Sequence, residues 1–445
     1  MDKFRRRPPS APSLERYGRW GLSANPFPPQ PVAEFGSPDA RTNGSIFDPG
    51  IRPTKVEEFR RRFVQTRFGE PHSLMGYLMS LGAVESTRGM GKTAMLLHFA
   101  REVNEKFGPP LVEDQRIAAV YVSPIQGMKR LDQLSWATFR NLVIQLGGDV
   151  FVSALLQAGD EKRVTLPDFG DDPLRLLDSS WLEAQAMDLN SAQADVRSYL
   201  VTSGVDEEFA AAFASAWGNA DVTLSALHAI PERRRLARSN SLLFDTVPSL
   251  MRAAGFTGLL WLVDELENVV NSQNANDRVA WAKELRTQLI DAPTMARQHH
   301  FILPVFVTHT LVHNALSQAW TRSGLDQLAP MHREIDRYTV QLEELTVADS
   351  TRLVLAYLDH FRVDAGRRGE LAPFSKEAVT RLAGISNYHP REILRQAYHL
   401  IERAAEQQAD GIGAKFVSSN SAGLETPRKT ARRGSRAKSL LGLDD

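Results

Sequence analysis

Two short segments hold the residue types that phosphate chemistry needs, at the spacing it requires. The first is Ser86-Thr87-Arg88-Gly89-Met90-Gly91-Lys92-Thr93-Ala94. Glycines let a loop turn its backbone N–H groups onto a phosphate, and a helix starting at the lysine aims the positive end of its dipole at the anion. Lys92 would reach the β- and γ-phosphates, and the Thr93 hydroxyl would bind Mg²⁺. Such loops usually open with glycine. Ser86 stands in that place here, and Gly89 and Gly91 keep the freedom nearest the phosphates, so a working loop of altered geometry is expected. The second segment is Leu259-Leu-Trp-Leu-Val263-Asp264-Glu265. A buried strand ending in two acids presents them at its carboxyl edge, where ligands bind in open α/β sheets. Asp264 would hold Mg²⁺ through water and Glu265 would polarise an attacking water; Glu267, in the following turn, is a fallback that reads as a surface residue. No guanine-reading Asn-Lys-x-Asp occurs, which favours ATP as the nucleotide.

Both segments require flanking strands and helices, and the hydrophobic pattern supplies them. Continuous apolar runs at 74–84, 117–122 (IAAVYV), 258–263 (GLLWLV) and 301–307 (FILPVFV), with a short run at 338–342, predict strands buried on both faces. Pro304 inside the fourth run is awkward for a central strand. Helical spacing over 54–68, 93–107, 131–146, 347–362 and 375–408 separates the strands. Alternating strands and helices imply an α/β fold: a parallel sheet between two helical layers. Residues 157–235 are mostly helical in pattern, and Phe209, Phe213 and Trp217 recur at i, i+4 and i+8, which predicts a helical insertion with its own small core.

The 445 residues suggest two or three structural units. There are no cysteines, which removes disulfides, thiolate metal sites and cysteine nucleophiles. His299, His300, His309 and His313 lie close in sequence, but no His-Glu-x-x-His accompanies them and no zinc site is expected. Lys+Arg and Asp+Glu are equal at 53 each, yet residues 157–232 hold fourteen acids and four bases. The rest of the chain is therefore basic by ten, which suits contact with phosphates. The first sixteen residues and the segment from Ser418 are polar and basic; residues 427–438 have six positive and no negative side chains. No secretory signal and no membrane-spanning run is expected, so the reading is a cytoplasmic chain that does not contact a membrane.

With these motifs in this order, the chain resembles an AAA+ ATPase over about residues 17–408, apart from the insertion. The opening WGLSANPF and the later IFDPGIRPTKVEEFRRRF are similar to the clade of ExeA, the TniB-type transposition regulators and the origin-recognition initiators. The resemblance implies a three-layer P-loop core, a helical lid, ATP and Mg²⁺ as ligands, and ATP hydrolysis by an oligomer. It implies that the region of Pro26, Phe27 and Phe47 lines an adenine pocket. It gives the end of FVTHT a polar group facing the γ-phosphate, Thr308 in the first place and His309 as the alternative. Arg391, after Gly384-Ile-Ser-Asn-Tyr-His-Pro390, would contact the γ-phosphate from the lid. Arg333 or Arg337, with Arg322 as a third choice, would reach the nucleotide of a neighbouring subunit. Each of these positions also has an ordinary use: Thr308 as a helix cap, Arg391 as a solvated arginine, and Arg333 and Arg337 as surface pair partners.

The expected organisation is a disordered basic N-terminus (1–16), an ATPase core (17–344, with the acidic insertion 157–235), a lid (345–410) and a disordered basic tail (411–445). Only 54 residues follow Arg391, too few for the rest of a lid plus a winged-helix domain, which favours the transposition, secretion-regulator or genome-defence branch over replication initiation. Two functions fit. One is an oligomeric ATPase that regulates or drives a process on duplex DNA, gripped by the basic body and tail. The other is an ATP-gated protein-interaction switch, whose insertion recruits an effector without touching DNA. The protein client is not named by the sequence.

Overall fold

The structure is a computed structural model, and it describes residues 16–66, 75–80, 88–105, 116–217, 239–291, 301–331 and 337–421. Ser86, Thr87, Arg333, His299, His300 and the tail at 427–438 lie outside the described residues. The chain forms two compact units, residues 32–344 and residues 1–31 with 345–445.

In the larger unit, β1 (Gly76–Ser80), β2 (Ile117–Val122), β3 (Gly258–Val263), β4 (Ile302–His309) and β5 (Thr339–Leu342) form one sheet in the order β2-β3-β4-β1-β5. Every pairing is parallel. Side chains alternate between the two faces, and both faces are apolar, as the continuous runs predict. Leu78, Ala119, Leu260, Leu262, Val305 and Val307 meet the helices α1 (Pro53–Phe59) and α2 (Lys92–Glu105) through Val56, Phe59, Met95, Leu96 and Phe99. Tyr77, Met79, Val120, Trp261, Val263 and Phe306 face the other way. They share a core with α3 (Leu131–Asp160), α4 (Leu189–Thr202), α5 (Glu207–Ser215), α6 (Ala275–Arg286) and α7 (Thr310–Ser323). The fold class is therefore α/β with a parallel sheet between helical layers. Pro304 is tolerated because β4 pairs only with β3 at that level: the β1 ladder begins one residue later, at Gly76↔Val305.

The acidic stretch differs from expectation. The helix predicted to end near 146 runs unbroken to Asp160, so α3 carries the insertion's first residues. Composition alone would let α3 cross a membrane, contrary to the expectation that no stretch could, but 61% of its most apolar window is buried inside the protein. The Phe209/Phe213/Trp217 stripe does not build a separate core. It packs on α3, with Phe139–Phe209 ring centroids at 5.6 Å, Phe151–Phe213 at 4.7 Å and Phe151–Trp217 at 6.3 Å, and it joins the apolar cluster that covers the sheet.

The smaller unit contains α8 (Val347–His360), α9 (Lys376–Ile385), α10 (Pro390–Glu406) and α11 (Ala414–Ser421). Left-handed backbone at Asn387 and Tyr388 separates α9 from α10, and Pro390 opens α10, where its missing N–H costs nothing. Two expected boundaries are corrected. The aromatic strap at 17–31 belongs to this unit, and so does α11, whose Val417 is fully buried, although 411–445 was expected to be unstructured. Sequence-distant groups hold the strap: Trp20 Nε1 donates to the Asp410 carbonyl, Asn25 Nδ2 to Glu402 Oε1 at 2.7 Å, and Ser23 N to the Phe361 carbonyl. Phe27 is fully buried between Tyr357 and Phe374, as a core residue of this unit. Phe47, in the other unit, stacks on His98 of α2 at 4.4 Å.

Candidate functional site

The sheet order explains how the two motifs meet. β1 leads to the glycine loop, β3 ends in the acids, and β4 lies between them. The carboxyl ends of these three strands therefore converge at the start of α2. Gly89 and Gly91 have φ of 81° and 92°, a backbone conformation that other residues rarely adopt, so both turns of the loop depend on glycine. Lys92 Nζ donates to Ser80 Oγ at 2.6 Å, from the first residue of α2 to the last residue of β1. Met90 is buried and Ala94 sits in the first turn of α2, while Arg88 is exposed at the loop's outer edge.

Asp264 is 2% exposed and is the meeting point. Tyr121 Oη donates to its Oδ2 at 3.0 Å, the Glu265 N–H to its Oδ1 at 2.9 Å, and the Thr93 hydroxyl also bonds it. Burial pushes the Asp264 carboxyl above the usual carboxylate range, against the pull of these three donors. All three are neutral. A buried carboxylate touching the Thr93 hydroxyl, with no cationic donor among these partners, is a set of hard oxygen ligands that suits Mg²⁺.

Glu265 is exposed, and its φ of 46° places a non-glycine residue in the left-handed region. Two donors hold its Oε2: Ser123 Oγ at 3.0 Å, just beyond β2, and Asn268 Nδ2 at 3.2 Å. Glu267 is not the surface residue expected. Its side chain is 15% exposed, and its Oε1 lies 3.7 Å from His309 Nε2, beyond hydrogen-bond reach.

The end of β4 requires a correction. Thr308 and Phe306 share a face, and Phe306 belongs to the cluster on the side of the sheet away from α2. His309 alternates onto the face of Val305 and Val307, and it pairs in register with Ser80, the partner of Lys92. His309, the alternative, thus sits on the loop's side, and Thr308 does not. His309 is 4% exposed, and both of its ring nitrogens lack hydrogen bonds. Burial first, then the charges of Lys92 and Arg88, lower its pKa to about 4, so the ring is neutral at pH 7. The Thr308 hydroxyl is fully buried and also without a partner.

Arg337 is exposed, with its guanidinium 4.7 Å from the Tyr338 ring centroid and bonded to the Tyr338 hydroxyl. Arg322 lies exposed in the last turn of α7. Arg391 lies in the first turn of α10, within the smaller unit. Two residues that sequence reasoning missed touch the motifs directly. Tyr121 looks like one more apolar strand residue until its hydroxyl is placed on Asp264. Arg52, itself left-handed at φ 54°, donates from Nη1 to the Met90 carbonyl at 2.8 Å and from Nη2 to the Glu343 carbonyl. Among the described residues, no group of three or more His, Cys, Asp or Glu is placed to hold a metal.

No protein-family model matches the chain, and no curated protein matches it. Among solved structures, one titled "Structure of the Aeropyrum Pernix ORC2 protein (ADPNP-ADP complexes)" aligns with 88% of this chain and 69% of its own, at 10% identity and a TM-score of 0.40. A similarity this weak supports no conclusion about activity, and the functional reading stands on the site's own geometry.

Proposed function

We propose that this protein is an ATP hydrolase of the AAA+ type, with ATP and Mg²⁺ bound at the start of α2. The observation that carries the reading is the convergence of Thr93 and Asp264. These two oxygen ligands come from segments about 170 residues apart, and they bond to each other beside a lysine-bearing glycine loop. Thr93 and Asp264 would hold Mg²⁺ there, and the ion would supply neutralisation of the phosphate charge. The chain's own groups do the rest. Loop N–H groups and Lys92 hold the phosphates, and Glu265, tethered by Ser123 and Asn268, orients the water. His309 offers a neutral ring nitrogen beside Lys92, and we assign it, ahead of Thr308, to the γ-phosphate. Arg333 or Arg337 from a second copy completes the charge stabilisation.

Glu265→Gln tests the central assignment: nucleotide binding should persist while turnover is lost. If Glu265→Gln turns ATP over normally, the base moves to Glu267, now seen to be sheltered beside His309.

The finer reading is an ATP-dependent homo-oligomer acting on duplex DNA as a regulator or motor, with the 427–438 segment as a phosphate clamp. Its support is the basic surplus outside the insertion. Deleting residues 427–445 should weaken duplex binding in a salt-dependent, sequence-independent way. Unchanged affinity at low salt would instead favour the protein-interaction switch.

A further inference from the structure

We propose that Tyr121 is a positioning residue for the cation: its hydroxyl holds the Asp264 carboxylate in the orientation that presents it to Mg²⁺, and α3 holds Tyr121 in place. The inference rests on the reading of Thr93 and Asp264 as the cation's ligands.

The torsion that turns a carboxylate about its Cβ–Cγ bond is soft and roughly two-fold, so an aspartate does not set its own orientation. Here Oδ2 is taken by the Tyr121 hydroxyl at 3.0 Å and Oδ1 by the Glu265 N–H at 2.9 Å. The second donor is backbone next to Asp264 itself and moves with it. Tyr121 comes from another strand and provides an independent anchor. It is 4% exposed, so its bond to Asp264 is not exchanged for one to water.

Tyr121 is itself fixed more firmly than an edge-strand residue normally is. Among the described residues β2 is the last strand of the sheet, and its outer N–H and C=O groups have no described strand beside them. At Tyr121, side chains of α3 replace that missing strand. Its N–H donates to Gln145 Oε1 at 3.1 Å, and its carbonyl accepts from Gln145 Nε2 at 2.8 Å and Asn141 Nδ2 at 3.2 Å. The ring is also stacked with Phe35, with centroids at 5.6 Å and an interplanar angle of 23°. The same edge is capped two residues earlier, where the Asn104 side chain bonds both the N–H and the carbonyl of Ala119; what sets Tyr121 apart is that its hydroxyl is spent on the Asp264 carboxylate. The helix that makes the clamp is the one that leads into the acidic insertion, so the arrangement links the insertion's base to the cation's ligand.

The test compares the full chain with Tyr121→Phe and Gln145→Leu, titrating a non-hydrolysable ATP analogue first in EDTA and then in saturating Mg²⁺. The quantity read is the gain in affinity that Mg²⁺ confers. In Tyr121→Phe that gain should fall by roughly tenfold, the scale on which partners of metal ligands act, with affinity in EDTA within about twofold of wild type. Gln145→Leu should reduce the gain in the same direction by a smaller factor. An undiminished gain in Tyr121→Phe overturns the proposal and leaves the ATPase reading standing. An equal loss of affinity in EDTA also overturns it, because Tyr121 would then serve the fold and not the cation. A wild-type chain that binds no nucleotide, or gains nothing from Mg²⁺, overturns both readings.

Discussion

Arg52 and Met90 are joined by a hydrogen bond of 2.8 Å from a guanidinium to a backbone carbonyl of the glycine loop. The same guanidinium bonds the carbonyl of Glu343, just past β5 and next to the point where the chain enters the smaller unit. One side chain therefore fixes the loop's carbonyl side, leaving its N–H groups for a phosphate. Arg52→Ala should weaken nucleotide binding on the order of tenfold, since hydrogen bonds from a charged donor contribute roughly 1.5–3 kcal/mol and this one is partly exposed. A fluorescent-nucleotide titration checks it, with thermal melting to confirm the fold. Wild-type affinity would mean that the loop holds its shape unaided.

His309 and Thr308 give opposite expectations. Thr308→Val removes a buried hydroxyl that has no partner, so stability should hold or rise by up to about 1–2 kcal/mol, and turnover should continue. His309→Ala should reduce ATP turnover by about 10²-fold or more, the scale on which a donor to developing charge acts. A larger loss in Thr308→Val than in His309→Ala would restore the threonine assignment.

Acid should destabilise the larger unit partly through His309. Its folded pKa, about 4, lies below the ordinary histidine value of 6.5, so between these limits the unfolded chain binds more protons. Its contribution is complete above pH 6.5 and is lost as pH falls from 6.5 towards 4. His309→Gln should flatten that part of a curve of stability against pH. An unchanged slope over that interval would show that the ring does not stay neutral in the fold.

Phe213 should behave as a residue of the whole larger unit. Its ring meets Phe151 of α3 edge to face, in the cluster that also covers the sheet. Phe213→Ala should cost about 3–5 kcal/mol and lower the unit's main unfolding transition. A separate early transition that alone responds to the substitution would show an independently folded insertion.

In the smaller unit, Arg362 is 2% exposed and donates to the carbonyls of Trp20, Glu370 and Ala372. Arg362→Met would remove the donor from the buried Trp20 carbonyl and from the part-buried carbonyls of Glu370 and Ala372, at a cost of about 3 kcal/mol, which chemical denaturation of the unit can measure. A loss under about 1 kcal/mol would mean that the strap is held without it.

The strands were legible because a sheet covered on both faces demands unbroken apolar runs, and IAAVYV and GLLWLV were placed to the residue. The Lys92–Thr93 and Asp264–Glu265 pairs were legible because their chemistry requires those neighbours on those elements. What remained hidden depends on relationships that no local pattern contains. The choice between Thr308 and His309 turns on the alternation of one strand against a register with β1. Tyr121 carries its signal in a single hydroxyl amid apolar residues, and Arg52 is one arginine among many. The strap at 17–31 joins the smaller unit through partners more than 300 residues away, and the Phe209, Phe213 and Trp217 stripe gives its periodicity without naming what it meets.

Nucleotide binding and turnover, measured together on the wild-type chain, Lys92→Ala and Glu265→Gln, test the central claim most directly. The account predicts Mg²⁺-dependent ATP hydrolysis by the wild type, no nucleotide binding by Lys92→Ala, and in Glu265→Gln near-wild-type ATP binding with turnover reduced by about 10²-fold or more. Hydrolysis by Lys92→Ala at the wild-type rate, or a wild-type chain that neither binds nor hydrolyses ATP, would contradict it.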